Sequence, residues 1–314
     1  MQLVLCRTTH VLTKYHRIYK NVSQGLPYFF FSLELRRFST VDFSQRYRYF
    51  SLYSTPPGCL LDEEGWYSVT PELIADQIAS RCRCDTILDA FCGVGGNAIA
   101  FAKTCQRGEV TSVSSLSYDL ISLVVIALDI SPTRLALARH NAQIYGVADR
   151  IEFVLSDFLS FVGAFKTLSS NAQSNINHKK IDVVFLSPPW GGPSYLEGSP
   201  EHVQEETTSI PDEYPLYSLS SIQPLCGSEL FRISRTITKN IAYYLPRNTK
   251  VKEISDLLPE DIDQQQERIE IEEEWMGNKL KALTCYFGGL VQGQEDMFWG
   301  NGLFFVRNLI DLSE

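Results

Sequence analysis

Apolar residues fall in short blocks separated by amphipathic stretches. Thr86-Ile87-Leu88-Asp89-Ala90-Phe91, Val124 to Asp129, Ile151 to Val154 and Ile181 to Leu186 have the length and continuity of strands buried on both faces. Thr70-Pro71-Glu72 predicts a helix running to Arg81: Thr70 can cap, Pro71 suits the first turn and Glu72 faces the positive end of the dipole. Cys92 to Asn97 reads as a glycine turn leading into a helical run, Ala98 to Lys103. Pro132 opens another helix, with Leu135, Ala138, Ala142 and Tyr145 on one face and Gly146 ending it. Farther on, a helix from about Ser228 to Lys239, a strand Ile241 to Leu245, an alternating run Arg268 to Trp275 and a strand Leu280 to Phe287 complete the pattern, the last two pairing antiparallel at the edge. Strands alternating with helices predict an α/β fold, a mostly parallel sheet covered on both faces.

Three segments interrupt this order. Residues 104–123 are serine-rich and too long for an ordinary helix-to-strand loop, so they read as a surface insertion. Residues 166–180 are rich in Ser and Asn and predict a loop. Residues 194–227 hold six acids and neither Lys nor Arg, and predict a flap beside the turn after the Ile181 strand. The chain divides into a basic arm (1–40), an extension (41–85), a main body (86–290) and a tail (291–314) that gives no firm signal. In the arm, Arg7, Lys14, Arg17, Lys20, Arg36 and Arg37 face only Glu34, which suits an RNA tether, a targeting peptide or the remnant of a longer protein.

Composition narrows the function classes. With 314 residues and 44% hydrophobic content the chain can bury a large core. No stretch has the roughly 20 apolar residues of a membrane span, and Leu26 to Leu33 is short and contains Pro27. Eight cysteines without a C-x-x-C pair, and histidines away from ligand spacing, predict free thiols and no metal site. A net charge of −9 argues against wrapping a long polyanion.

Candidate chemistry sits at the carboxyl ends of the strands, where open α/β sheets bind ligands. Asp89-x-Phe91-x-Gly93-x-Gly95 lets backbone approach a ligand closely. Gly93, Gly95 and Ala98 also satisfy G-x-G-x-x-A, so a dinucleotide comes into consideration. A carboxylate ahead of the glycines would repel pyrophosphate, whereas it can accept from the ammonium of S-adenosyl-L-methionine. Asp129 ends the second strand in position for ribose hydroxyls, and Asp157 with Phe158 follows the third, in position for adenine. After the fourth comes Leu186-Ser187-Pro188-Pro189-Trp190-Gly191-Gly192-Pro193. The prolines fix φ, the carbonyls of Ser187 and Pro188 can accept from an exocyclic amine, and Trp190 offers a ring face for a base. The ordered set predicts an amino-group methyltransferase.

Gln45 to Ser51, Asp62 to Glu72, Asp89 to Asn97, Ala138 to Ala142 and Phe185 to Pro193 together resemble the catalytic domain of the trimethylguanosine synthase family, over about residues 42–290. The resemblance implies a class I SAM-dependent methyltransferase: a Rossmann-like, mostly parallel seven-stranded sheet with a small N-terminal helical extension. It implies transfer from S-adenosyl-L-methionine to N2 of 7-methylguanosine caps on small nuclear and nucleolar RNAs (snRNA, snoRNA). By motif, Phe50, Thr70, Asp89, Gly93, Gly95, Asn97, Asp129, Asp157 and Phe158 line the cofactor pocket, with Phe50 and Thr70 closing it. Ser187, Pro188 and Trp190 hold the base, Glu64 and Asn141 are candidates for its edge, and Arg247 and Tyr195 for the cap phosphates. Cap-bearing RNA, and snRNP core proteins beside it, are the implied partners. The nucleus, with nucleolus and Cajal body, is the implied location, alongside the cytoplasm; the arm's poverty in acids leaves an organellar address as a minority reading. Where relatives carry Lys-Tyr-Trp before Gln-Arg-Tyr, this chain has Val41-Asp42-Phe43, which removes one cation expected at the cap phosphates. Two alternatives stay open: an N2-guanine or N6-adenine methyltransferase on ribosomal RNA or DNA, and a cap-binding module without turnover.

Overall fold

The computed structural model describes residues 3–7, 44–104, 125–170, 180–192, 216–258 and 267–292. Eight strands form one sheet: β1 (Leu3–Arg7), β2 (Ile87–Asp89), β3 (Val125–Asp129), β4 (Ile151–Leu155), β5 (Val183–Leu186), β6 (Ile241–Pro246), β7 (Ile269–Met276) and β8 (Lys279–Phe287). Their order is β1-β7-β8-β6-β5-β2-β3-β4. Strands β4, β3, β2, β5 and β6 run parallel, and β8 is antiparallel to both β6 and β7. The β7–β8 pairing follows the alternation in sequence. The edge differs from expectation, because β1, drawn from the basic arm, pairs parallel to β7 and makes an eighth strand.

Both faces of the central strands are buried, which is why their sequences lack a polar alternation. Ile87, Val125, Val183 and Phe185 point into one apolar cluster, and Leu88, Leu128, Val184 and Leu186 into another. The first is covered by α3 (Glu72–Arg81), α4 (Gly96–Thr104) and α5 (Pro132–Ile144), the second by α6 (Phe158–Ser170) and α7 (Gly227–Ser234), with α8 (Val251–Ser255) sending in Ile254. Two shorter helices, α1 (Arg46–Tyr49) and α2 (Glu63–Ser68), make up the N-terminal extension.

Local chemistry sets the helix boundaries, with some departures from the sequence rules. Ser131 caps α5 by accepting the Arg134 N–H, and Pro132 occupies its first turn. Asp62 caps α2 through the Gly65 N–H at 2.8 Å. Thr70 does not cap α3: Pro71 stands at that position without a side-chain bond, and the Thr70 hydroxyl instead accepts from Asn97 Nδ2 at 2.9 Å. The loop predicted over 166–180 begins later, because α6 runs on to Ser170, and Phe161 and Phe165 stack one turn apart on it. The helix predicted to Lys239 stops at Ser234, where the chain turns to meet β6. The end of the acidic segment is built into the body: Tyr217 bridges Thr249, and α7 starts at Gly227. Residues 193–215 and 105–124 lie outside the described residues.

Candidate active site

The strand order reverses between β2 and β5, and the glycine turn after β2 meets the proline turn after β5 there. The Ser187 hydroxyl donates to the Phe91 carbonyl at 3.5 Å, and the Cys92 N–H to the Leu128 carbonyl at 2.8 Å. Asp129 braces the same corner, its Oδ2 accepting the Gly93 N–H at 3.0 Å and its Oδ1 the Ser131 N–H at 2.8 Å. Gly93 has φ of +52° with open space where a Cβ would stand. Gly95 plays a different part: at φ +92°, its missing Cβ would come within 3.0 Å of Ala138 Cβ, so this glycine lets α5 approach the turn.

Asp89 is fully buried at the tip of β2. Its Oδ1 accepts weakly from the Phe91 N–H at 3.4 Å, and its Oδ2 has no hydrogen-bond partner among the described residues. Burial pushes its carboxyl up to about 7, with the nearby Asp129 charge acting in the same direction. Asn97 is also buried and leaves its Oδ1 without a partner while its amide holds Thr70. Two unpartnered acceptors beside an open glycine cradle fit the ammonium of S-adenosylmethionine, and Asp129 retains lone pairs for ribose hydroxyls. Asp157 is exposed at the start of α6, where its Oδ1 accepts the Ser160 N–H at 2.9 Å, and that bonding holds its carboxyl below the usual range. Phe158 is buried with its ring 6.1 Å from that of Phe91. Phe50 is buried too, packing on Tyr145 at 6.0 Å.

Beyond β5, Pro188 is buried and Trp190 half-buried. One side of the indole lies on Tyr244 of β6, centroids 5.2 Å apart and planes 31° off parallel. Tyr244 follows Phe185 at 6.5 Å, and Phe185 meets Phe101 of α4 at 5.2 Å, so Trp190 is the outermost of four linked rings. The Tyr217 hydroxyl donates to the Trp190 carbonyl at 3.4 Å. Gly191 and Gly192 take φ of +90° and +69°, and the Tyr67 ring from α2 comes against Gly192. Tyr67, Tyr217 and Tyr244 were not singled out by sequence reasoning. Tyr67 does lie in the Asp62 to Glu72 stretch, whereas no local signal marks the other two.

Two predicted base contacts stand elsewhere. Asn141 is fully buried with its amide saturated: Oδ1 accepts the Leu60 N–H at 2.8 Å, and Nδ2 donates to the carbonyls of Leu60 at 2.9 Å and Val94 at 3.0 Å. It ties the N-terminal extension to the glycine turn. Glu64 pairs with Arg134, which also bonds Asp62 at 3.1 Å, and its charge acts on Asp129. Its carboxylate is therefore engaged by Arg134. Arg247 follows β6 at the same rim as Trp190 and donates to the Leu280 carbonyl at 3.1 Å. Tyr195 lies outside the described residues.

A sheet of this order, with acids closing β2 and β3 and a Ser-Pro-Pro-Trp turn following β5, defines a class I SAM-dependent methyltransferase acting on an amine. Residues 84–290 match the RNA cap guanine-N2 methyltransferase family, and the chain belongs to it. It is 35% identical over 217 residues to a trimethylguanosine synthase of Schizosaccharomyces pombe, covering 68% of this chain and 72% of that one. It is 29% identical over 241 residues to that of Saccharomyces cerevisiae, covering 75% and 59%. Among solved structures, an O-methyltransferase from Bacillus cereus in complex with SAH overlaps with a TM-score of 0.42 and 10% identity, over 78% of this chain and 90% of that one.

Proposed function

We propose that the chain converts 7-methylguanosine caps of small nuclear and nucleolar RNAs to 2,2,7-trimethylguanosine, in the nucleus and in contact with snRNP core proteins. The observation that carries the reading is Trp190: an indole backed on one side by Tyr244, following a serine and two prolines at the same end of the sheet as the buried Asp89. N7 methylation makes guanine cationic, and an indole face attracts a cation by about 0.5–2 kcal/mol beyond neutral stacking. Trp190 fixes the plane of the base, and the Ser187 and Pro188 carbonyls accept from its exocyclic amine, which aims the nitrogen lone pair. Asp89, Gly93, Asn97, Asp129, Asp157 and Phe158 hold the cofactor, which supplies an electrophilic methyl group on sulfonium. Arg247 takes cap phosphate.

No strong base is required at the amine. The proton becomes acidic once the nitrogen carries the methyl group and leaves to solvent, so orientation and exclusion of water provide most of the acceleration. The test is to incubate the purified chain with labelled S-adenosylmethionine and either 7-methylguanosine triphosphate or GTP. Transfer is expected only to the methylated nucleotide. Equal labelling of both would defeat the reading.

A further inference from the structure

A second aromatic ring stands at the same rim. Trp275 of β7 is 40% exposed, and its indole N–H donates to Glu273 Oε2 at 3.1 Å, which fixes the ring plane and occupies that carboxylate. Its ladder partner is Leu280, and the Leu280 carbonyl holds the Arg247 guanidinium at 3.1 Å. Arg247 and Trp275 thus converge on Leu280 from the two sides of β8, one by its guanidinium and the other by its ladder pairing. Lys279 is exposed one step along, opposite Met276 at the hairpin end. The buried Tyr217 ties the two places together from within, donating its hydroxyl to the Trp190 carbonyl and its N–H to the Asn248 carbonyl at 2.8 Å, next to Arg247.

Charge separates this patch from its surroundings. Lys250 and Lys252 are paired with Glu253 at 3.3 Å and Asp256 at 3.2 Å. Among the described residues, Arg247 and Lys279 make no ion pair. On a chain of net charge −9, a guanidinium and an ammonium flanking an exposed, fixed indole stand out. A ring face for a base beside cations for phosphates is the arrangement by which proteins hold single-stranded nucleic acid.

We propose that Trp275 and Lys279, next to the cap-phosphate residue Arg247, form a second station that receives the single-stranded RNA immediately following the cap, with a transcript base stacked on Trp275 and its phosphate on Lys279. The inference rests on the cap reading above, since the transcript leaves Trp190 through Arg247. It gives a capped RNA an advantage over the isolated cap nucleotide and confines that advantage to KM.

The test compares steady-state methylation of 7-methylguanosine diphosphate with that of an unstructured, 7-methylguanosine-capped decanucleotide. Trp275→Ala is expected to raise KM for the decanucleotide about tenfold and to leave KM for the diphosphate unchanged, whereas Trp275→Phe keeps most of the advantage. Lys279→Gln is expected to flatten the salt dependence of the decanucleotide KM by about 0.7 in log–log slope. An unchanged decanucleotide KM in Trp275→Ala overturns the proposal. If that variant falls on both substrates alike, Lys279→Gln decides, and a salt slope equal to that of the unaltered chain overturns it. Failure of the unaltered chain to methylate the diphosphate would instead remove the cap reading, and this proposal with it.

Discussion

At the scale of single residues, the site is governed by what burial does to polar groups. Asp89 has no counter-ion among the described residues, so its carboxyl keeps its proton to about pH 7, whereas in the unfolded chain it loses it near pH 4. Between those values the folded state binds the extra proton, and stability falls as pH rises through the window. A bound ammonium reverses the penalty by favouring the carboxylate. The rise in melting temperature produced by S-adenosylhomocysteine should therefore be larger at pH 8 than at pH 5.5. Calorimetry should show its affinity increasing through pH 7 in the unaltered chain and losing that dependence in Asp89→Asn, whose binding should be weaker by ten- to a hundredfold. Trp190→Ala is expected to cut kcat/KM on a 7-methylguanosine substrate at least tenfold while leaving cofactor affinity unchanged. Asn141 shows what sequence cannot tell at this scale. A polar residue on a helix reads as available, and only the return of Leu60, 81 positions away, reveals that every bond of its amide is taken.

Between elements, close approach decides which substitutions matter. Gly95→Ala must place a Cβ 3.0 Å from Ala138 at a φ of +92°, so it should displace α5 and lower the melting temperature by at least 5 °C, or about 2 kcal/mol. Gly93→Ala meets open space but keeps the strain of a φ of +52°, about 1 kcal/mol, so it should cost less stability than Gly95→Ala while reducing cofactor affinity more than tenfold. Differential scanning fluorimetry with a cofactor titration separates the two. The paired acids of β7 offer a second case. Glu270 and Glu272 are buried against Arg81 of α3, which bonds Glu270 through both nitrogens at 3.1 and 2.8 Å and lies over the Tyr286 ring. Arg81→Met leaves those charges uncompensated and should lower stability by about 3–5 kcal/mol, seen as a fall of roughly 10 °C in thermal melting. The period of two in Ile-Glu-Ile-Glu was legible from the chain. That the acidic face packs under a helix was not, because its partner lies 189 residues away. The same holds for Thr70, whose hydroxyl obeys no local capping rule because Asn97 claims it.

For the molecule as a whole, the parallel core was readable because strands buried on both faces are written as apolar blocks and acids mark their carboxyl ends. The eighth strand was not, since a basic, weakly patterned arm carries no mark of the edge it pairs with. The N-terminal extension is coupled to the pocket rather than appended to it. Asn141 joins Leu60 to Val94 of the glycine turn, and Asn97 joins Thr70 to α4. Asn141→Leu would strand two carbonyls and an N–H, so melting temperature and cofactor affinity should fall together, by about 3 kcal/mol in stability. A KM effect on the cap alone, with normal melting, would contradict that coupling. The pile of rings from Phe101 through Phe185 and Tyr244 to Trp190 has a consequence of the same reach. A chain of ring contacts whose far end is set in the protein's interior fixes the plane of its outermost member before any guest arrives. On the proposed function, charged and neutral purines would be sorted on arrival, not by later adjustment, and loosening Phe101 would blur that choice from the interior without touching the place where it is made.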